Sequence, residues 1–306
     1  RQARRRQGSQ TDLSFRDHQT MSRTIFVTGG NSGIGYALCR QLVAERDCRV
    51  LLGARSASRG EKAASDIAST LPSERRSNIE FVHVDVSDDA SVQSAAEAVR
   101  AKLETKGHKL YAVVNNAGVG FNPDMSPAEV CNINLMGPKR VCDAFLPLLC
   151  PKMGRVVNIG SGAGPMYVEN VKDKETQKML CGFGSEPLTW EWIEKHAKEG
   201  VGTAADSYGG YGVSKALLAC YTMVLGREHP ALTFGCTSPG FINTKMTKGF
   251  GASKTPEEGT VSIHKCLFEK LDGNGWYYGS DGIRSQYHFM RDPGTEPYDG
   301  SNPFDK

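Results

Sequence analysis

The sequence has no run of about 18 apolar residues, so no segment reads as a membrane-spanning helix. Its nine cysteines are odd in number and scattered, with no C-x-x-C pair. That argues against a disulfide framework and against structural zinc, and it fits a reducing, cytoplasmic setting. None of the seven histidines forms an H-x-x-x-H pair, so no metal is expected. Net charge is scarce as well. Against 37 Lys+Arg stand 34 Asp+Glu, and the excess of +3 falls entirely in residues 1–20, as Arg1, Arg4, Arg5, Arg6 and Arg16 against Asp12 and Asp17. A neutral body is a poor polyanion binder, which removes nucleic acid as an expected partner.

What is present is a core. A 39% hydrophobic fraction across 306 residues supports a folded body. Residues 1–22 read instead as a disordered basic tail, rich in Arg, Gln and Ser and without hydrophobic periodicity. The tail reads as an extension upstream of Met21; a transit-peptide remnant is the lesser alternative, weakened by its two aspartates. From Arg23, short apolar runs alternate with amphipathic stretches. Strands are expected at Thr24–Thr28, Arg49–Ala54, Ile79–Val84, Leu110–Asn115, Arg155–Ile159, Leu232–Cys236 and Trp276–Tyr278. Helices are expected between them, including Ile34–Arg46, Asp88–Thr105, Pro127–Leu149, Trp190–Lys198, Ala205–Arg227 and Pro256–Leu271. Such alternation builds βαβ units, hence an α/β fold with a doubly wound parallel sheet of Rossmann type in one domain, 23–306.

Thr28-Gly29-Gly30-Asn31-Ser32-Gly33-Ile34-Gly35 follows the first strand and opens the first helix. Glycines there permit a tight turn and close approach of backbone to a pyrophosphate, whose charge the helix amino end favours; a plain turn is the bland alternative. The spacing T-G-x-x-x-G-x-G resembles the short-chain dehydrogenase/reductase family. Asn115-Asn116-Ala117-Gly118, Asn134 in Asn-Leu-Met-Gly, Ser161, Tyr211-Gly-Val-Ser-Lys215, and Pro239-Gly240 with Thr244 match further family motifs in the right order.

Tyr211 and Lys215 are four residues apart and so share a helix face. An ammonium near a phenol lowers its pKa towards the working pH, which suits proton transfer. Ser161 follows a parallel strand, at the sheet edge where ligands bind, and its hydroxyl suits a carbonyl oxygen. The resemblance implies a catalytic group of Ser161, Tyr211, Lys215 and Asn134, the last helping to hold a water that links Lys215 to solvent. It also implies cofactor contacts from Gly29, Asn31, Ser32, Gly33, Ile34, Gly35, Asp85, Val86, Asn115, Ala117, Gly118, Tyr211, Lys215, Pro239, Gly240 and Thr244. Asp85 has a second reading as a turn cap, and Asn115 as a residue that holds the sheet together. The second strand ends at Arg55 with no acid beside it. An Arg there accommodates a 2′-phosphate, so the expected cofactor is NADP(H).

About forty residues, near 165–205, separate Ser161 from Tyr211 more widely than is usual for the family. They resemble the insertion of monomeric carbonyl reductases and menthone-type reductases, as Ser253-Lys-Thr-Pro-Glu-Glu-Gly259 resembles a carbonyl reductase segment. The implied protein is a monomeric NADPH-dependent reductase of aldehydes, ketones or quinones. Met166, Tyr167, Trp190 and Trp192 are candidates for pocket wall. An alcohol, hydroxysteroid or retinol dehydrogenase is the alternative within the fold. A nucleotide sensor without catalysis and a Ser161 hydrolase are alternatives outside that chemistry, the latter without a suitably spaced histidine or a G-x-S-x-G.

Overall fold

The structure, a computed structural model, describes residues 23–105, 107–120, 122–203, 206, 208–286, 291 and 293–305; the tail expected over 1–22 lies outside them. Strands β1 (Thr24–Val27), β2 (Arg49–Ala54) and β4 (Leu110–Asn115) are buried at every position. Continuous burial is what a parallel strand covered on both faces requires. With β3 (Ile79–His83), β5 (Arg155–Ile159), β6 (Thr233–Thr237), β7 (Trp276–Tyr278) and β8 (Arg284–Ser285) they form one sheet, in the order β3-β2-β1-β4-β5-β6-β7-β8. Only β7 and β8 pair antiparallel. β8 was not expected, since two residues carry no periodicity.

Residues alternate between two cores. Phe26, Leu51, Val113 and Val156 pack on one face, and Ile25, Val27, Val50, Leu52, Ala112, Val114 and Val157 on the other. The order reverses between β1 and β4, which opens a crevice at the carboxyl ends of the strands. Helices α1 (Gly33–Arg46), α2 (Ala57–Ser69) and α3 (Asp89–Glu104) fall close to expectation.

The stretch Pro127–Leu149 does not form one helix. It divides into α4 (Pro127–Cys131), a π-helical turn (Asn132–Met136) and α5 (Gly137–Phe145), followed by a short 3-10 turn. Pro138 has no N–H for the carbonyl of Asn134 and its ring crowds that carbonyl, while Gly137 N–H reaches back five residues to Asn132 O.

The insertion is more helical than its sequence suggests. It holds α6 (Ala163–Asn170), α7 (Lys174–Leu180) and α8 (Trp190–Glu199). Asp173 caps α7 by accepting from Thr176 N–H (2.7 Å), and Thr189 caps α8 by accepting from Trp192 N–H (3.3 Å). The next helix, α9, spans Tyr211–Glu228. Its expected start at residue 205 is outside the described residues, and Gly209 and Gly210, at φ 55° and 87°, delay it to Tyr211. α10 is also shorter than expected, at Val261–Phe268 after a 3-10 turn. No helix among the described residues is long and apolar enough to cross a membrane.

Candidate active site

The glycine loop leaves β1 at the crevice. Gly29 and Gly33 take φ of 66° and 55°, and a Cβ on Gly35 would stand 2.4 Å from Gly29 O, so these positions tolerate no side chain. Ser32, the N-cap of α1, makes no side-chain cap, and the first turn holds no acid. The amides of that turn therefore retain the donor capacity an anion uses. Two residues that sequence reasoning did not single out lock the loop. Thr28 Oγ1 accepts from the N–H of Asn116 (3.1 Å) and Ala117 (3.0 Å), while Asn116 Nδ2 donates to Thr28 O (2.9 Å) and Gly29 O (3.1 Å). The T-G and N-N-A-G motifs are thus one hydrogen-bonded unit. Thr244 arches over them, its Cγ2 3.3 Å from where a Gly33 Cβ would be. Gly240, at φ 90°, turns the chain after Pro239 towards that position. Ile34 is half-buried, and Asn31 lies on the turn itself. This donor set and the cradle free of side chains fit a dinucleotide pyrophosphate.

Arg55 is exposed at the carboxyl end of β2, and among the described residues no carboxylate lies within ion-pairing distance of it. Asp85 spends its Oδ1 on Ser87, accepting from N–H (3.0 Å) and Oγ–H (2.6 Å). Burial pulls its pKa up, but those bonds, with help from Arg55 and His83, hold it below the usual carboxylate value. Val86 turns its side chain into the core against Gly137. Asn115 is buried and donates to Asn158 Oδ1 (2.8 Å), which matches its sheet-holding reading. Ala117 and Gly118 border the crevice: a Cβ on Gly118 would sit 3.0 Å from Asn134 Oδ1 and 3.7 Å from Lys215 Nζ.

Ser161, Tyr211, Lys215 and Asn134 converge beside β5. Ser161 Oγ accepts from Ala163 N–H (3.2 Å), and its side chain stands near enough to the Tyr211 phenol to favour the ionised form. Lys215 Nζ is 5.8 Å from the centre of the Tyr211 ring and donates to Ile159 O (2.7 Å). Burial drives the Lys215 ammonium down to about 8. Burial also raises the Tyr211 phenol, and the Ser161 hydrogen bond only partly offsets it. The direction is therefore set by desolvation and runs opposite to the lowering expected from the Tyr–Lys spacing. Asn134, on the π-helical turn, accepts from Val119 N–H (2.9 Å) and donates to Val119 O (2.9 Å) and Ser214 Oγ (3.2 Å). It joins the crevice edge to the helix that carries Tyr211 and Lys215.

The aromatic residues of the insertion do not form the mouth. Trp190 packs edge-on against Tyr221 (5.1 Å) beneath Lys139, Trp192 stacks on His196, and Tyr167 is buried. Apolar surface near the crevice comes instead from Met246, which touches Gly120, and from exposed Phe241 on the same segment. Phe250, 61% exposed, follows between Gly249 and Gly251, both at positive φ. Single apolar residues between polar ones carried no period that would have flagged them.

The sheet and the matches to known proteins mark an oxidoreductase: the chain belongs to the short-chain dehydrogenase family, whose model (short chain dehydrogenase) matches residues 23–173. It is 34% identical to the (+)-neomenthol dehydrogenase of Arabidopsis thaliana over 280 residues, covering 80% of this chain and 91% of that one. Carbonyl reductase (NADPH) 3 of Mus musculus is 31% identical over 259 residues, covering 78% and 88%. Among solved structures, salutaridine reductase from Papaver somniferum superposes with a TM-score of 0.68 at 27% identity, over 84% of this chain and 99% of that one. Relatives of this kind support carbonyl reduction in general as the chemistry of the chain.

Proposed function

We propose that the protein reduces an aldehyde, ketone or quinone to the alcohol with NADPH. The observation that carries this reading is the convergence of Ser161, Tyr211 and Lys215 beside a glycine loop whose amides and bare backbone fit a pyrophosphate. When bound, the nicotinamide cofactor supplies the hydride. Ser161 Oγ–H donates to the carbonyl oxygen and stabilises the charge that develops there. Tyr211 gives that oxygen its proton. Burial pushes the phenol above its ordinary pKa and so favours the protonated form that donates. Lys215 holds the nicotinamide ribose, and Asn134 fixes the crevice edge while helping to link Lys215 to solvent. Gly29, Asn31, Ser32, Gly33, Ile34, Gly35, Ala117, Gly118, Pro239, Gly240 and Thr244 line the cofactor path. Asp85 and Val86 lie at its adenine end. The name of the murine relative supports NADPH over NADH, as does Arg55, exposed at the end of β2 with no carboxylate in ion-pairing distance among the described residues.

Consumption of NADPH and NADH by the purified protein, followed against a panel of aldehydes, ketones and quinones, tests this. Turnover with NADPH is expected, at a kcat/KM about tenfold or more above that with NADH, a difference of ~1.4 kcal/mol that one guanidinium–phosphate pair readily supplies. NADPH bound tightly but never consumed would leave a sensor instead. A clear NADH preference would refute the role of Arg55.

We also read the protein as a single domain over 23–306, monomeric and cytoplasmic. The insertion lies along α5 and α9, with Trp190 set between Lys139 and Tyr221, and so covers a helical flank that subunit association would otherwise use. Sedimentation near 33 kDa is expected; a stable tetramer would sink the monomer reading.

A further inference from the structure

The insertion begins one residue after the Ser161-Gly162 turn, with α6, and α6 lies directly on α9 at the turn that carries Tyr211 and Lys215. The two backbones touch. A Cβ on Gly164 would stand 3.1 Å from Ala216 N and Lys215 C, and one on Gly212 would stand 3.3 Å from Tyr167 Cβ. A displacement of α6 therefore displaces Ser161 relative to Tyr211, because each residue sits at the near end of its helix.

A second element of the insertion also holds α6. Tyr167 is 3% exposed, and its hydroxyl lies 3.0 Å from His196 Nε2 on α8. His196 in turn stacks face to face on Trp192, with centroids 4.8 Å apart and planes 5° from parallel. Gly200 makes the room: a Cβ there would be 2.6 Å from the Tyr167 hydroxyl. At the end of the insertion, Asp206 Oδ2 accepts from Gly202 N–H (3.2 Å) and from Gly210 N–H (2.8 Å), the residue just before Tyr211. Burial raises the Tyr167 phenol to about 12 and lowers the His196 imidazole, so the Tyr167–His196 pair is neutral through the neutral range.

We propose that Tyr167 and His196 are positioning residues, a clasp between α6 and α8 that sets the separation of the Ser161 and Tyr211 hydroxyls. The proposal rests on the reading of those two residues as catalytic. Neither member of the clasp reaches the crevice, so the effect is on turnover rather than on cofactor binding. A misplacement of about 1 Å in an oriented site costs about 10²-fold in rate, and loss of one hydrogen bond in a packed cluster displaces less than that.

Four variants test the clasp: Tyr167→Phe, His196→Leu, their combination, and His196→Gln. The single changes are expected to lower kcat about tenfold, with substrate KM and NADPH Kd close to wild type. The double variant should lose clearly less than the product of the two single losses, because both single changes break the same Tyr167–His196 hydrogen bond. His196→Gln keeps a hydrogen-bonding group on α8 and should recover most of the loss. Unchanged kcat in both single variants would overturn the proposal. So would additive losses, absence of rescue by Gln, or a fall in NADPH affinity parallel to kcat, which marks a merely structural role. If Tyr211→Phe itself retains turnover, the reading of Tyr211 fails, and that outcome is separate from the behaviour of the clasp.

Discussion

Replacing Tyr211 by Phe should lower kcat for carbonyl reduction about 10³-fold and leave NADPH affinity within about twofold. The change removes one oxygen and keeps the ring, so the packing at the start of α9 survives. What is lost is the proton donor. Burial favours the protonated form of that donor, which lies beside Ser161, the other group proposed to face the carbonyl oxygen. The loss should therefore appear at all pH values below the alkaline limb. A Ser161→Ala variant should lose less, about 10²-fold, since it removes a hydrogen bond to developing charge and leaves the donor. Turnover and cofactor binding measured on the same preparation separate the two effects. Undiminished turnover in Tyr211→Phe would remove Tyr211 from the mechanism.

Much of this architecture was legible because parallel strands leave a simple trace. β2, β4, β5 and β7 begin and end where their apolar runs do, since both faces of each are covered. The interruption at Asn132 was not legible from periodicity, which runs through it; Pro138 was the available signal, as a missing donor within an apparent helix. α6 and α7 escaped because Ala163–Asn170 contains Gly164 and Pro165 and lacks an amphipathic stripe. Gly164 is a packing residue against the backbone of Lys215, which only the folded chain reveals. The residues proposed as catalytic were singled out through spacing and resemblance, yet the partners that hold them were not. Thr28 and Asn116 stood within quoted motifs without an assigned role, and His196 had no motif at all. Pair contacts across long stretches of chain, such as Gly33 with Thr244, have no local signature.

Lys215→Met should remove turnover by more than about 10²-fold and yet make the cofactor-free protein more stable at neutral pH. The reasoning is a matter of sign and size. Burial lowers the Lys215 ammonium from an ordinary 10.5 to about 8. Between those values the unfolded chain binds the proton and the folded chain does not, so stability rises with pH across that window. Below pH 8 the full penalty of holding the charge is present, roughly 3 kcal/mol. Methionine has similar length and no charge, so it escapes that penalty. It also abandons the hydrogen bond from Nζ to Ile159 O, at a cost of about 1–2 kcal/mol. The charge effect is the larger, and a net gain of about 1–2 kcal/mol at pH 7 follows. At pH 10.5 only the lost hydrogen bond remains, so the variant should there be the less stable of the two. Denaturant unfolding of both proteins at the two pH values tests the reversal. A variant less stable than wild type at both would mean that Lys215 is comfortably solvated in the crevice. The same ionisation predicts that kcat/KM of the native enzyme falls above about pH 8, as the free enzyme loses the charge beside Tyr211. Activity at Lys215 is thus obtained against the stability of the fold, and the variant should exchange one for the other.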